Sequence, residues 1–233
     1  MVIREHVFNS QWWGAPVGIV DSPQALLAMP ANARIAALDR FAFVELRGRD
    51  DALGLSRALA AIGFYHVDTQ LAFRIGLSGL RSSDTIERLQ VSFADEVKLV
   101  IDAENLADFR HERYLQLPGI RPYKVASRYA TWGNALVEQA PATCLALYDD
   151  DALQGYFLSQ LRAGSLHLTL AMLTRDARIT GHHLYLRALL AYAERGHRTG
   201  RAEFSASNTA VLNIYAGLGA RFLTAEQCFL WTP

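Results

Sequence analysis

The sequence has 233 residues, which allows one large domain or two small ones if a domain holds about 150 residues. Hydrophobic residues make up 51% and charged residues 20%, a composition that is typical of a globular protein and excludes wholesale disorder. The 23 Lys and Arg residues balance the 23 Asp and Glu residues. This balance argues against a general binder of nucleic acid or of a membrane surface, although it leaves room for a local basic patch.

Membrane insertion, secretion and metal binding are also disfavoured. No apolar run approaches the roughly 18 to 20 residues needed to span a bilayer, and polar residues interrupt the first 14 positions, so a signal peptide is not expected. Cys144 and Cys228 have no CxxC or histidine spacing. They are expected to be reduced core thiols of a cytoplasmic protein that holds no metal.

A polar stretch from Gly76 to Arg88 separates two apolar, patterned regions. It predicts a boundary between a small N-terminal α/β domain, residues 1–80, and a main domain, residues 88–233. The patterns of the first region predict, in chain order, a loop and a short strand over 8–20, a helix interrupted by Pro30 over 25–38, a strand over 41–47, a helix over 51–62 and a strand over 65–75.

The main domain alternates strands and helices. Its patterns predict a strand over 89–94, helices over 95–110 and 124–139, strands over 143–148, 154–161 and 165–173, a helix over 181–195, a strand over 201–207, a helix over 208–216, and strands over 221–225 and 227–232. Turns are expected at 149–151 and 162–164. This order predicts an α/β fold with a mixed central sheet flanked by helices.

Two stretches share a strand, helix, glycine and strand order, at 41–75 and at 203–231. The N-terminal unit is therefore either a partial copy of the C-terminal one or an independent case of a common pattern. The second alternative stays open because glycine often ends a helix by adopting the left-handed conformation.

The loop from Leu173 to His183 joins a predicted strand to a predicted helix and carries Gly181. A helix N-terminus exposes unpaired N–H groups and the positive end of the helix dipole, so it can hold a pyrophosphate. The loop is neither GxxxxGK[ST] nor GxGxxG, which excludes the Walker A and dinucleotide fingerprints. Many such loops bind nothing, so this segment alone is weak evidence.

A second segment begins at Asn208, which stands between a predicted strand and a predicted helix. Tyr215 follows seven residues later, on nearly the same helical face. Alone, the pair is better explained as an N-cap residue and a packed aromatic side chain than as a functional site.

Together the two segments resemble the acyl-CoA-binding half of the Gcn5-related N-acetyltransferase superfamily. The residues that match its patterns are Leu173, Arg178, Gly181, Asn208, Ala210, Tyr215 and Gly219. His183 stands where that superfamily usually has Gly or Ala, so the loop is expected to be shaped differently. The order of elements from 89 to 232 matches too, which implies the superfamily's fold, with the N-terminal unit resembling a partial half of it.

The resemblance implies an N-acetyltransferase that uses acetyl-CoA as its cosubstrate. It implies that this molecule is held by Met172, Leu173, Arg178, Thr180, Gly181, His182, His183, Leu184 and Asn208. Tyr215 would protonate the leaving thiolate, since a phenol carries its proton at neutral pH. Glu203, His167 and His182 are candidates for the base, by location only.

The stretch from Arg110 to Arg128 is locally basic and contains tyrosines. Arginine forks pair with phosphate oxygens, so the sequence predicts a nucleotide-binding wall of Arg113, Arg121, Tyr123, Lys124 and Trp132. The alternative is a solvated helix face whose long side chains cover apolar surface.

Three further segments resemble the sugar-nucleotide branch of the superfamily, the dTDP-fucosamine acetyltransferases: FNSQWWGAPVGIV, ERY…RYATWGNAL and HRTGRAEFSASNTAVLNIY. This implies an acceptor amine on a nucleotide-linked amino sugar of the dTDP-4-amino-4,6-dideoxyhexose type, with neither nucleic acid nor membrane as a partner. The alternatives are a protein or peptide N-acetyltransferase of the same fold and a non-catalytic acyl-CoA-binding protein. The exact acceptor and the formation of a homodimer stay open.

Overall fold

The computed structural model describes residues 2–49 and 54–233. The helices of this part of the chain are α1 (Val7–Trp13), α2 (Pro23–Leu27), α3 (Ala31–Leu38), α4 (Leu55–Ala60), α5 (Asp84–Glu87), α6 (Pro122–Gln139), α7 (Gly181–Glu194) and α8 (Thr209–Gly217). Among these residues, none of the helices combines the length and the apolar character that crossing a membrane requires.

The strands are β1 (Ile3–Glu5), β2 (Val17–Val20), β3 (Phe43–Gly48), β4 (Tyr65–Gly76), β5 (Gln90–Phe93), β6 (Cys144–Asp149), β7 (Ala152–Arg162), β8 (Ser165–Leu173), β9 (Thr199–Ser205) and β10 (Arg221–Trp231). Strands and helices alternate along most of the chain. The predicted α/β class is therefore confirmed.

The chain divides into two compact units. The first contains Met1–Gln70, Gln116–Pro118 and Ala225–Pro233, and the second contains Leu71–Leu115 and Gly119–Thr224. Strands β4 and β10 each contribute residues to both units. The division of the sequence into domains at 1–80 and 88–233 stays a prediction about which segments fold independently.

In the first unit the strand order is β1, β2, β3, β10, β4. β2 and β3 are parallel, whereas β1 pairs antiparallel with β2 and β10 pairs antiparallel with β3. The core of this unit is formed by apolar side chains from its strands and short helices, among them Leu26, Leu46, Leu59, Phe64 and Phe229.

In the second unit the strand order is β4, β9, β8, β7, β6, β5. The pairs from β5 to β8 are antiparallel and β8–β9 is parallel, so the predicted mixed sheet is confirmed. Side chains alternate between the faces of a sheet, which gives this unit two cores. The core with α7 contains Leu145, Leu147 and Phe157. The core with α6 contains Ala146 and Leu158.

Two tight turns connect β6, β7 and β8, as the sequence predicted. Asp150 and Asp151 have φ of 46° and 63°, and Ala163 and Gly164 have φ of 48° and 74°. Two residues with positive φ form the turn that matches the right-handed twist of antiparallel strands. Aspartate tolerates this conformation better than most residues, which explains its place in the first turn.

The prediction of a loop before β2 was wrong, because residues 7–13 form α1. The His6 ring accepts a hydrogen bond from Asn9 N–H at 3.3 Å, and Gly14, with φ of 86°, ends the helix. The ring of Trp13 packs edge-on against Phe43, with centroids 5.2 Å apart. Capping and packing therefore form a helix from residues of low helix propensity.

The predicted helix over residues 95–110 was also wrong, because this segment contains only a 3-10 turn at Ala103–Asn105. Its extended backbone is bound by side chains of the second unit. Asn134 accepts from Ile101 N–H and donates to Ile101 C=O, both at 2.9 Å, and Tyr156 donates to Val100 C=O at 2.9 Å. These bonds satisfy groups that a helix would otherwise pair, and β-branched residues lower the helix propensity further.

Two smaller differences concern the ends of elements. The predicted helix over 51–62 is observed as α4, and its first three predicted residues lie outside the described part of the chain. The two strands predicted over 221–225 and 227–232 are one continuous strand, β10.

Candidate functional site

The parallel strands β8 and β9 separate partway along their length. Their pairs are Leu166–Gly200 and His167–Arg201, after which the ladder ends although β8 continues to Leu173. A gap therefore opens between the two strands toward their C-terminal ends. Such a crevice beyond the carboxyl ends of strands is where open α/β sheets bind ligands.

A β-bulge lies in β8 next to this gap. Leu158 of β7 faces Leu170 and Ser159 faces Leu168, so Thr169 is one extra residue on β8. Leu166 and Leu168 pack in the core with α7, whereas Leu170 and Met172 pack in the core with α6. A bulge breaks the ladder and re-aims the backbone groups beside it.

Helix α7 begins at the end of the gap. Thr180 is its N-cap, and the Nδ1 atom of His183 accepts from Thr180 N–H at 3.2 Å, in the manner of a capping box. Leu184 N–H bonds Thr180 C=O at 3.3 Å. In the part of the chain that the structure describes, the N–H groups of Gly181 and His182 have no protein partner.

This arrangement explains why histidine stands at position 183. Its ring replaces the Glu or Gln that usually completes a capping box, and it takes the Thr180 N–H for itself. Of the predicted phosphate-binding residues, Gly181 and His182 are therefore the two that offer free N–H groups to an anion.

Gln154 holds the loop before α7, and sequence reasoning missed it. This buried side chain accepts from Arg178 N–H at 2.7 Å, and its own C=O accepts from Thr174 N–H at 2.9 Å. Gln154 is the extra residue where the pairing of β6 and β7 shifts. A polar residue inside an apolar strand was the available signal. The Arg178 side chain is exposed beside this anchored backbone.

The edge of β8 that faces the gap is engaged by a chain segment at its C-terminal end. Ala107 N–H donates to Leu173 C=O at 3.0 Å, and Arg175 N–H donates to Asn105 C=O at 2.8 Å. An antiparallel bridge joins Leu106 to Thr174. Sequence reasoning missed this pairing because it predicted a helix over residues 95–110.

Met172 and Leu173, two of the residues predicted to hold acetyl-CoA, both have backbone partners within the chain. Because Thr174 N–H bonds Gln154 of β7, Gly155–Leu173 is the non-hydrogen-bonded pair of that ladder and Tyr156–Met172 is the hydrogen-bonded one. The backbone groups of Met172 are therefore used within the sheet. Those of Leu173 face the gap.

Asn208 is the N-cap of α8, and its side chain accepts from Val211 N–H at 3.2 Å. Its amide oxygen thus has a structural role, and the amide NH₂ remains as a donor. The preceding residue, Ser207, has its hydroxyl 3.4 Å from Nδ1 of His111. A residue of the segment 105–111 therefore contacts the turn that follows β9.

Tyr215 is 3% exposed and packs among aromatic rings of the second unit. Its ring centroid lies 4.0 Å from that of Phe73, 5.1 Å from that of Tyr185 and 5.9 Å from that of Phe204. Burial, and then the neighbouring Tyr185 and Tyr192, raise the pKa of Tyr215 well above 10. The phenol is therefore neutral at physiological pH, as a proton donor has to be.

Two of the three candidate bases, His167 and Glu203, lie near each other at the start of the gap between β8 and β9. Burial, and then the nearby Arg162, lower the pKa of His167 below 6.5, while Glu203 opposes this shift. The Nδ1 atom of His167 lies 3.3 Å from Oγ1 of Thr169, the bulge residue. A neutral imidazole at this place can accept a proton. His182, the third candidate, is exposed in the first turn of α7.

The residues of the predicted acceptor wall are only partly brought together. Arg121 is the exposed N-cap of α6, and Tyr123, which is 61% exposed, and Lys124 belong to the first turn. Trp132 lies more than two turns further along the same helix. Arg113, in a 3-10 turn, donates to the Tyr114 hydroxyl at 3.1 Å.

A buried polar cluster beside the wall was missed by sequence reasoning. The Arg128 guanidinium lies over the rings of Tyr114 and Trp132, 4.6 and 5.5 Å from their centroids. The Tyr129 hydroxyl donates to Glu112, and burial followed by the Glu112 charge raises the pKa of Tyr129 well above 10. Arg128 and Glu112 are both buried, and Arg128 contacts Trp132, one residue of the predicted wall.

A cleft of about 550 Å³ is lined by Ala107, Asp108, Arg110 and Arg175. Its two arginines could pair with an anionic group. Among the described residues, no group of three His, Cys, Asp or Glu side chains is placed to hold a metal ion.

No protein-family model and no curated protein matches this sequence. Similar solved structures exist at low identity. A GCN5-related N-acetyltransferase from Sphaerobacter thermophilus is 16% identical over 82% of this chain, with a TM-score of 0.55, and this chain covers 59% of that one. A tandem GNAT protein from the clavulanic acid biosynthesis pathway is 14% identical over 94% of this chain and 76% of its own, with a TM-score of 0.56.

A third similar structure is described as a GCN5-related glucosamine N-acetyltransferase region of a fungal multi-domain GH3 beta-N-acetylglucosaminidase. It is 10% identical over 93% of this chain and 30% of its own, with a TM-score of 0.60. At such identities these likenesses show a shared fold.

Proposed function

We propose that this chain, whose fold is that of the GCN5-related N-acetyltransferases, transfers an acetyl group from acetyl-CoA to an amine. The observation that carries the proposal is the gap between β8 and β9 with the start of α7 at its end. A gap flanked by strand edges suits an extended arm that carries amides. A helix N-terminus suits the pyrophosphate to which that arm is attached.

The chain offers groups of the right chemistry along this path. The N–H groups of Gly181 and His182 and the exposed Arg178 side chain suit the pyrophosphate, and the Asn208 amide suits the pantetheine arm. Acetyl-CoA supplies the activated thioester. The C=O of Leu173 already accepts a hydrogen bond from Ala107 N–H at the strand edge beside the gap.

The proposed transfer is a direct attack. The neutral amine adds to the thioester carbonyl, the C–N bond forms, and the C–S bond breaks as the thiolate leaves. A backbone N–H near the Thr169 bulge stabilises the oxyanion, a kind of interaction whose loss costs about 2.7 to 4 kcal/mol elsewhere. Tyr215 gives its proton to the thiolate, and His167 accepts the amine proton.

For the acceptor we propose a nucleotide-linked amino sugar, of the dTDP-4-amino-4,6-dideoxyhexose type. Arg121, Tyr123 and Lys124 at the start of α6 support this choice, because they offer two cations and an exposed ring to a nucleotide diphosphate. The third similar structure is named for glucosamine, which is also an amino sugar.

Acetyl-CoA binding is tested first, by titration calorimetry with the whole chain. Absence of binding at millimolar acetyl-CoA would reject the proposed activity. Acetyl transfer is then screened with amino-sugar nucleotides and with peptides bearing a free N-terminus. Turnover of the peptides alone would replace the amino sugar by the peptide acceptor.

The acceptor wall is tested by Arg121→Glu combined with Lys124→Glu. We expect a higher KM for the acceptor and an unchanged KM for acetyl-CoA. The matched control is Arg81→Glu with Lys98→Glu, which changes the charge equally at exposed positions of the same unit. An equal effect of both pairs would show that overall charge, not the wall, matters.

The second candidate function is a non-catalytic acyl-CoA-binding protein. The observation that favours it is the pairing of Leu173 with Ala107, which engages the strand edge that the arm needs. Binding of acetyl-CoA without turnover of any acceptor amine would support this candidate.

A further inference from the structure

We propose that residues 105–107 form a strap that closes the gap between β8 and β9 and that leaves β8 when acyl-CoA binds. The proposal rests on the proposed function, because it names the pantetheine arm as the competitor of the strap. It concerns a segment to which that function assigns no role.

The strap binds the particular edge of β8 that borders the gap. Successive residues of a strand direct their backbone groups to opposite edges. Thr174 N–H points to β7, where it bonds Gln154 C=O at 2.9 Å. Leu173 C=O and Arg175 N–H therefore point away from β7, toward the side on which β9 pairs at the other end of β8.

Residues further along the chain cross to the other side of the gap. His111 lies four residues beyond Ala107, and its Nδ1 atom is 3.4 Å from the hydroxyl of Ser207, which follows β9. The chain thus contacts the end of β8 and the turn that follows β9. An arm entering between them meets this segment.

The strap presents the same chemistry as a pantetheine amide. It offers one donor, Ala107 N–H, to Leu173 C=O and one acceptor, Asn105 C=O, to Arg175 N–H. An amide of the arm carries one donor and one acceptor as well. The strap and the arm therefore compete for the same two backbone groups, and both cannot bind them at once.

The strap is held at its middle and beyond its end. Leu106 is 1% exposed and belongs to the core with α6, and the Phe109 ring stacks on Tyr129 with centroids 4.1 Å apart. Asn105 and Asp108 beside them are exposed. Opening of the strap moves residues 105–107, Leu106 included, away from β8 and breaks both hydrogen bonds, while the stacked Phe109 ring stays in place.

If acyl-CoA binds only molecules whose strap is open, the apparent affinity is the intrinsic affinity multiplied by the open fraction. A variant with a weakened strap must then bind acetyl-CoA more tightly than the parent chain. Ala107→Pro removes the donor of one strap bond, and Leu106 already has the extended conformation (φ −79°, ψ 142°) that precedes proline. The control is Ala103→Pro, at the first position of a 3-10 turn, where proline fits.

Titration calorimetry with acetyl-CoA compares these two variants with the parent chain. We expect about three- to tenfold tighter binding for Ala107→Pro, the range that one hydrogen bond supports, and parent-like binding for Ala103→Pro. Equal or weaker binding by a folded Ala107→Pro variant overturns the strap. If no chain, including Ala107→Pro, binds acetyl-CoA, the proposed function itself fails.

The unmodified chain gives a second readout that does not depend on a variant. Hydrogen exchange of the Ala107 amide, followed by NMR, is expected to accelerate when acetyl-CoA saturates the protein, because its acceptor is lost. Exchange that stays unchanged or slows in the saturated protein overturns the proposal while leaving acyl-CoA binding intact.

A disulfide that holds the strap closed tests whether closure weakens the binding of acetyl-CoA. Leu106 and Thr174 form a non-hydrogen-bonded antiparallel pair, in which the Cα atoms are about 4.5 Å apart and a disulfide can form. Leu106→Cys with Thr174→Cys, once oxidised, is expected to bind acetyl-CoA at least about tenfold more weakly than its own reduced form. Equal binding by the two forms overturns the strap.

Discussion

Tyr215 is buried among three aromatic rings, which keep its phenol neutral. We predict that Tyr215→Phe lowers kcat by about 10²- to 10⁴-fold, the usual contribution of general acid catalysis, with little change in acetyl-CoA affinity. The fold should persist because the change removes only a hydroxyl from an apolar site. Steady-state kinetics and titration calorimetry check both expectations.

The matched control for this variant is Tyr185→Phe. Tyr185 is the ring next to Tyr215, with centroids 5.1 Å apart, and it has no assigned role in the transfer. Unchanged turnover in Tyr215→Phe, or an equal loss in both variants, would remove the acid role from Tyr215.

The lowered pKa of His167 has a consequence for stability that does not depend on the activity. Its pKa is below 6.5 in the folded chain and returns to about that value on unfolding. Between the two values the unfolded state binds more protons, so the free energy of unfolding rises as the pH increases toward 6.5. Below this range the contribution of neutral His167 is lost.

We predict that His167→Gln weakens this dependence of stability on pH. Urea unfolding at pH values on either side of 6.5 measures it. His197→Gln is a useful comparison, because burial and the nearby Arg195 also lower the pKa of His197. A parent-like pH dependence in His167→Gln would contradict the shift.

The first turn of α7 forms the capping box of the helix and also carries the N–H groups that are proposed to bind the pyrophosphate. His183 completes the capping box with Thr180, and in doing so it withdraws an N–H group from any anion. We predict that His183→Ala lowers the free energy of unfolding by about 0.5 to 2 kcal/mol, as loss of a cap does, and tightens acetyl-CoA binding by freeing Thr180 N–H. His183→Gln should keep the box and the parent stability.

Chemical denaturation and calorimetry on these two variants separate the effects. An equal loss of stability in both would show that packing, not capping, explains His183. Unchanged acetyl-CoA affinity in His183→Ala would show that Thr180 N–H does not reach the ligand.

Elements set by local chemistry were predictable from the sequence. The pairs Asp150–Asp151 and Ala163–Gly164 marked tight turns, and Asn208 marked a helix start. These features depend on a few adjacent residues.

Features that depend on distant partners were not predictable. Residues 95–110 have helical spacing, yet Asn134 and Tyr156 hold part of this segment extended. The strap at 105–107 and the anchor at Gln154 follow from pairings across more than 20 residues, which no local pattern encodes. The role of every proposed site residue stays a prediction.

At the scale of the whole molecule, the predicted boundary at residues 80–88 places β4 in the N-terminal domain, although side chains of β4 pack in the core of the second unit. Phe73, Ile75 and Leu77 are fully buried in the core with α7. Each buried apolar side chain of this size contributes about 1.5 to 3 kcal/mol, and a whole domain is stable by only about 5 to 15 kcal/mol. A fragment that lacks all three should lose most of its stability.

We therefore predict that the fragment 71–233 is more stable than the fragment 88–233. Urea unfolding, followed by near-ultraviolet circular dichroism, compares the two. Equal stability would mean that the core with α7 closes without β4 and would favour the boundary taken from the sequence.

Strand β8 carries apolar residues at every second position from Leu166 to Met172, as if a single face were buried. Because Thr169 is an extra residue, side chains with the same spacing point to one face before it and to the opposite face after it. Those before the bulge pack in the core with α7, and those after it pack in the core with α6. Removing Thr169 would place Leu170 directly after Leu168 in a regular strand with the same partners on β7, so both leucines would keep the cores in which they pack now. A single deletion elsewhere in β8 would instead put part of the strand one residue out of register with β7 and move the side chains of that part to the opposite face.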